Sequence, residues 1–381
     1  MVLAFMALYP IVAAMIRKFI LVTALASLLG SCSKDVAPKA AYMIGACPNA
    51  PIGRALPAVQ RVFAYHPETR AMLVLDGGCS LIKAYAPGYS DTNRFISWSM
   101  AKTITGLLIG ALVEDGKLSL NAPAPVAEWH QPGDPRAAIT LRQMLQMSSG
   151  LQHIEVGDPV ENSDTNQTLF VDHTDAMAAA SIAHPLTSQP GTKFEYSSLT
   201  TLILSEIITR TLTPSHDPRV RAAAYTRFAE DRLFRPAGIT SAKLEFDGAG
   251  TQIGGSLIYM TLEDWGRLGT VLLDGKNADG TQVVDPKWLA VMKTPAATDG
   301  EYGAQLWLNR KGLNGESSLF PGKGPETAVA AEGHIGQYVI ASPDSGAGRG
   351  VVIVRLGNTP EPKMPALVQS LGDVLKTFDR R

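Results

Sequence analysis

Between Lys102 and Val113 the chain carries no charge, and Ile104, Leu107, Leu108, Ala111 and Leu112 recur at spacings of three and four, which predicts a helix with a strongly apolar face. The same period runs through 199–211, 219–234 and 261–273, and 139–150 reads as a short helix closed by Gly150. Residues 61–65, 71–75 and 80–84 read as strands, as do 302–308, 337–342 and 350–356. A turn at 343–348 separates the last two, and a final helix is expected over 365–378. Strands from both ends with helices between them predict an α/β fold, with one sheet closed by the two ends, flanking helices and a mainly helical insertion at about 115–255. Segment 152–174 is polar and aperiodic, and suits a surface loop bordering a site.

Composition narrows the chemistry. The 381 residues are 45% hydrophobic and 18% charged, with a net charge of −1, so a sizeable core is possible. No basic stripe exists, which argues against a nucleic-acid partner. The chain has no HExxH, no pair of CxxC, no phosphate-loop GxxxxGK, no GxGxxG after a strand and no GxSxG. Neither a metal nor another cofactor is therefore expected.

The first 32 residues read as targeting rather than fold. Arg17-Lys18 precedes an apolar run over 19–29, too short to span a bilayer as a helix. The following Leu29-Gly30-Ser31-Cys32 resembles a bacterial lipoprotein cleavage site, with Cys32 as the lipidated residue. Translation beginning at Met15 instead of Met1 would give a signal peptide of ordinary length. The expectation is an exported bacterial protein anchored by lipid at Cys32, facing the periplasm or cell exterior. A Pro- and Ala-rich linker is read over 33–58 and a catalytic domain over 59–378. In an oxidising compartment Cys47 and Cys79 either pair or remain two separate thiols.

Serine and lysine three apart occur as Ser31/Lys34, Ser80/Lys83 and Ser99/Lys102. The first pair straddles the signal boundary. The second lies in a strand, where residues three apart point to opposite faces. Only Ser99 and Lys102 open a helix, sharing one face, and a lysine one turn away can activate a serine hydroxyl if its pKa is lowered. The alternative for such a serine is a helix N-cap.

Further stations follow at Tyr196-Ser-Ser198 and His334-Ile-Gly336. Together with Ser97-Trp-Ser-Met-Ala-Lys102, Leu112-Val-Glu-Asp-Gly-Lys-Leu118, Met147-Ser-Ser-Gly-Leu151, Pro190-Gly-Thr-Lys-Phe-Glu-Tyr196, Gly255-Ser-Leu-Ile-Tyr-Met-Thr-Leu-Glu-Asp-Trp265 and Gly333-His-Ile-Gly-Gln-Tyr338, they resemble the β-lactamase-related serine hydrolases. That group includes class C β-lactamases, D,D-peptidases, family VIII esterases and 6-aminohexanoate-dimer hydrolases, the last two closest in flavour. The resemblance implies a β-lactamase/transpeptidase-like fold with an antiparallel sheet. It implies Ser99 as nucleophile, Lys102 as the group that holds or accepts its proton and Tyr196 as a phenolate-type base that later passes the proton to the leaving group. It also implies that Ser198 orients Lys102 or substrate, and that the peptide N–H groups of Ser99 and Gln337 form the oxyanion hole.

At the third station the β-lactamases and peptidases usually carry Lys-Thr-Gly, where the lysine favours a substrate carboxylate. His334-Ile335-Gly336 weakens that anchor. The expected reaction is hydrolysis of a small carboxylic ester or linear amide through an acyl-enzyme, with a small ester, amide or peptide as partner. The alternatives are a cell-wall D,D-peptidase or β-lactamase, and a non-catalytic surface lipoprotein that keeps the fold.

Overall fold

The computed structural model describes residues 39–313, 315 and 319–379. The signal segment, Cys32 and the question of the start codon lie outside them. The described residues begin with β1 (Ala41–Ile44) and α1 (Ile52–Tyr65), followed by the hairpin β2 (Thr69–Asp76) and β3 (Cys79–Tyr85) and by the short β4 (Phe95–Ile96). Then come α2 (Met100–Glu114), α3 (Leu141–Leu145), α4 (Asp164–Asn166), α5 (Met177–Ala183), α6 (Ser198–Leu212) and α7 (Pro218–Ala229). After β5 (Lys243–Leu244) and β6 (Ile258–Met260) come α8 (Leu262–Asp274), α9 (Pro286–Met292) and β7 (Trp307–Leu308). The chain closes with β8 (Val329–Gly333), β9 (Gln337–Ser342), β10 (Val351–Gly357) and α10 (Met364–Lys376).

Strands from the two ends form adjoining blocks, joined at β2 and β10, in one antiparallel sheet ordered β1-β3-β2-β10-β9-β8-β7, and β4, β6 and β5 form a second small sheet. Around β10 the large sheet is buried on both faces. Val352, Val354 and Leu356 of β10 join the core shared with α2, α6 and α8, while Val351 and Ile353 join the core under α1 and α10. Such double burial explains why β10 reads as an apolar run, broken only by Arg355, rather than as an alternation. Helix α2 is buried from Met100 to Gly110 without a break, which makes it a central helix and fixes everything at its N-terminus.

Several expectations are corrected. Residues 61–65 belong to the end of α1, whose Ala55, Ala58, Val59 and Val62 form one buried face. The 33–58 segment is not simply a linker, because β1 and the first turns of α1 lie in it; its Pro and Ala content hid a three-and-four spacing. Of the strand expected over 302–308 only Trp307–Leu308 forms a strand of the sheet; Gln305 takes a left-handed φ of 60°, and the chain turns back so that Tyr302 bridges to Trp307. Strand β8 had no strand signal because alanines replace the β-branched residues that mark strands. The helix over 219–234 is α7 followed by a wider π turn at Glu230–Phe234. Cys47 and Cys79 form a disulfide, tying the segment after β1 to the start of β3.

Candidate active site

Ser99 sits where the β4 end turns into α2. Ser97 clamps this entry: its Oγ donates to Ser256 O (2.9 Å) and accepts from Ile258 N (3.0 Å), and its own N–H donates to Ile258 O. Trp98 takes a left-handed φ of 43°, a conformation that costs about 1–2 kcal/mol for a residue with a side chain. Ser99 itself is helical in φ and ψ, and its hydroxyl caps no helix N–H, which leaves it free for chemistry. Ser99 thus holds the N-cap position of α2 without a side-chain capping bond.

Lys102 is 1% exposed, and its Nζ donates to Ser99 Oγ (3.0 Å), Ser198 Oγ (2.8 Å) and Gly255 O (2.9 Å). Burial lowers its pKa to about 8, against the opposing charge of Glu155. A usable fraction is therefore neutral near physiological pH.

Ser198 is the first residue of α6, whose N-cap is Ser197. Its hydroxyl, while accepting from Lys102, donates to Glu155 Oε1 at 2.6 Å, and its N–H donates to Glu155 Oε2 at 2.7 Å. Glu155 Oε2 is also 2.6 Å from His153 Nε2 and accepts from Thr165 Oγ1 at 2.9 Å. Burial works against its charge, but the His153 hydrogen bond and the Lys102 and His153 charges outweigh it and hold the carboxyl down to about 2. Glu155, His153 and Thr165 escaped the sequence reading. Their only signal was their place in the polar 152–174 segment, where His153-Ile-Glu155 pairs an acid with a histidine.

Tyr196 lines the cavity beside Ser99 and interacts with its hydroxyl. Its ring stacks on Trp307 (5.6 Å between centroids) and lies under Lys102 Nζ, 4.8 Å from the ring centre. Burial, then the Glu155 charge, push its pKa well above the ordinary phenol value. That shift favours the neutral phenol over the expected phenolate, and Lys102 Nζ lies over the Tyr196 ring. Of the two candidate bases, Lys102 has the lowered pKa.

The third station is the turn between β8 and β9. Gly333 and Gln337 face each other in the ladder, with Ile335 (φ 56°) and Gly336 (φ 85°) in left-handed backbone between them. A Cβ on Gly333 would lie 2.3 Å from Ser97 O, so only glycine lets the end of β8 approach the backbone leading into Ser99. Gly336 O accepts from the buried Arg355 guanidinium at 2.7 Å. Gly333, His334 and Ile335 line the cavity, whereas Gln337 is 2% exposed, is not among the lining residues, and spends its amide on Gly357. The Gln337 side chain therefore braces the turn, and the residue lies behind the cavity wall that the expected oxyanion donor would line. His334 is half exposed, with Nδ1 3.3 Å from Glu361 Oε1 and its ring edge-on to Trp98. The peptide N–H groups of Ser99 and His334 donate to no backbone carbonyl among the described residues.

These groups open on one cavity of about 470 Å³ that holds Ser99, Glu155, Tyr196, Trp307 and the third-station turn. A buried lysine touching a free serine hydroxyl, with a tyrosine beside both, is an arrangement suited to acyl transfer.

Known proteins share this architecture. The chain is 24% identical over 318 residues to the 6-aminohexanoate-dimer hydrolase of Paenarthrobacter ureafaciens, covering 77% of this chain and 74% of that one. A penicillin-binding protein homologue from Caulobacter crescentus superimposes with a TM-score of 0.62 at 18% identity, over 88% of this chain and 100% of the other. A β-lactamase from Mycobacterium bovis gives 0.56 at 16% identity, over 84% and 99%. The beta-lactamase family model matches residues 59–373, and the chain belongs to that family.

Proposed function

We propose that the protein is a serine hydrolase that cleaves a small carboxylic ester or linear amide through an acyl-enzyme at Ser99. The observation that carries this reading is the 3.0 Å contact between Ser99 Oγ and a buried Lys102 whose pKa is about 8. In the neutral fraction Lys102 accepts the Ser99 proton as Oγ bonds to the acyl carbon. The developing oxyanion is held by the Ser99 and His334 peptide N–H groups, which replaces the expected pairing of Ser99 with Gln337. Collapse of the tetrahedral intermediate breaks the bond to the leaving group. The Tyr196 phenol donates the proton that the departing oxygen or nitrogen needs, and regains one from Lys102. Water then attacks the acyl carbon by the same route in reverse and frees Ser99. Ser198 and Glu155 fix Lys102 in place throughout.

An ester or amide is favoured over a β-lactam because the third station presents His334, already facing Glu361, where a carboxylate would need a lysine. Export with lipidation at Cys32 is proposed with it, supported by the disulfide between Cys47 and Cys79, a bond typical of oxidising compartments. A panel of simple esters, linear amides, nitrocefin and D-Ala-D-Ala peptides, assayed on wild type and Ser99→Ala, tests the reading. Ester or amide turnover that vanishes in Ser99→Ala supports it. Preferred cleavage of nitrocefin or D-Ala-D-Ala would replace it with the cell-wall reading, and no turnover of any class would favour a binding module.

A further inference from the structure

Arg355 is the one charged residue of β10, and its side chain is fully buried. Among the described residues it forms no ion pair. Its guanidinium donates to neutral oxygens alone: Nε (3.2 Å) and Nη2 (3.0 Å) to Thr69 Oγ1, Nη2 to Thr359 Oγ1 (2.6 Å), and Nη1 to Gly336 O (2.7 Å), with Ile335 O at 3.5 Å. Burial lowers its pKa to about 10, against the charge of Glu68, so it stays a cation at neutral pH. A buried cation without a carboxylate is costly, and an apolar side chain of similar volume is often the more stable occupant of such a place.

What the guanidinium holds is the turn that carries the third station. It sits in a slot between two glycines, where a Cβ on Gly336 would lie 2.7 Å from Nη1 and one on Gly357 2.5 Å from Cζ. Ile335 O, beside the guanidinium, also accepts from the N–H of Thr359 at 2.9 Å, the residue whose hydroxyl Arg355 holds. The N–H of Gly336 donates in turn to Gly333 O at 3.2 Å. A trans peptide points its N–H opposite to its C=O, so this bond leaves the His334 N–H facing out of the turn, in a segment that lines the cavity. Hydrogen bonds chained in this way strengthen one another. Arg355 itself does not line the cavity, so any effect it has on the reaction passes through these peptides.

We infer that Arg355 is the positioning residue of the third station: it holds the Ile335 and Gly336 carbonyls so that the His334 N–H faces the cavity, and it sets a buried positive charge behind the place where the oxyanion forms. The inference rests on the proposed hydrolase reading for the role of the His334 N–H, while the hold on the turn does not require Ser99 to react.

The test compares Arg355→Met, Arg355→Lys and Val59→Ala with wild type. Val59 lies on α1 in the same core as Ile353 of β10, so its truncation lowers stability from another element. With 4-nitrophenyl butyrate, Arg355→Met should lower kcat by about tenfold to a hundredfold and leave KM within about threefold, because a loosened oxyanion donor weakens the transition state more than the bound ester. Arg355→Lys, which keeps the charge but not the planar fork, should fall between the two, and Val59→Ala should keep kcat within about threefold of wild type. Hydrogen exchange read by mass spectrometry should speed up about tenfold over 333–337 in Arg355→Met and not in Val59→Ala. A kcat for Arg355→Met within about threefold of wild type, a loss that Val59→Ala reproduces, or unchanged exchange over the turn overturns the inference. Should Arg355→Met not fold, a wild-type kcat in Arg355→Lys overturns it and a lowered kcat at unchanged KM supports it. Turnover by wild type is scored separately: no hydrolysis of any ester or amide, with faster exchange over 333–337 in Arg355→Met, would defeat the hydrolase reading and leave the hold on the turn standing.

Discussion

Glu155 accepts two hydrogen bonds from Ser198, one from its hydroxyl at 2.6 Å and one from its peptide N–H at 2.7 Å. Since the same hydroxyl accepts from Lys102, a carboxylate on the 152–174 loop controls the orientation and charge of a lysine on α2. The loop is thus coupled to the nucleophile through one serine.

Replacing Glu155 by Gln removes a charge that raises the Lys102 pKa, leaving the burial that lowers it. The rising limb of kcat/KM against pH, expected near 8 in the wild type, should move to lower pH in Glu155→Gln. Turnover should also fall, because Ser198 loses a charge-assisted acceptor worth about 1.5–3 kcal/mol. A limb that stays in place or moves upward would show that Glu155 does not act on Lys102.

Lys102 and Tyr196 should behave as one proton-transfer unit with Ser99. Lys102→Ala and Tyr196→Phe are each expected to reduce kcat by about a thousandfold or more, and the double variant to be little worse than either. Far-ultraviolet circular dichroism checks that the fold is kept. Losses that multiply would mean independent roles.

Much of this site was legible because its parts are local. Ser99 and Lys102 are one helical turn apart, so a single period places that pair, while Tyr196 and Ser198 were read from the motif resemblance. Glu155 was not legible, because its contact with Ser198 spans 43 residues and no period connects a loop to a helix. Gln337 was misassigned for a related reason. Its place after Gly336 suggested a backbone donor to the cavity, whereas the residue is buried behind the lining and its side chain reaches to Gly357, twenty residues on. The same limit applied to α1, whose helical face was masked by Pro57 and a linker-like composition, and to β8, which is built of alanines.

Gln337→Ala should leave the buried N–H and C=O of Gly357 without their side-chain partner and cost about 1–3 kcal/mol, read from urea unfolding. Because the turn it braces also carries His334 and Gly333 into the cavity, kcat should fall with it. Unchanged stability would contradict the bracing role.

His334→Lys should raise kcat/KM for nitrocefin relative to 4-nitrophenyl butyrate. A regained charge-assisted hydrogen bond is worth about tenfold to a hundredfold. The low end is expected, since Glu361 beside position 334 would pair with the new ammonium. A ratio that does not move would remove the argument that links His334 to substrate choice.

The central claim is that Lys102 activates Ser99 to form an acyl-enzyme. Rapid-quench mass spectrometry with a slowly released ester, followed by peptide mapping over a range of pH, measures it directly. The account predicts an acyl adduct on the peptide containing Ser99, absent in Ser99→Ala, forming at a rate that rises with pH and levels off above about 8. An adduct on another residue such as Ser80, or a rate indifferent to pH across that range, would contradict it.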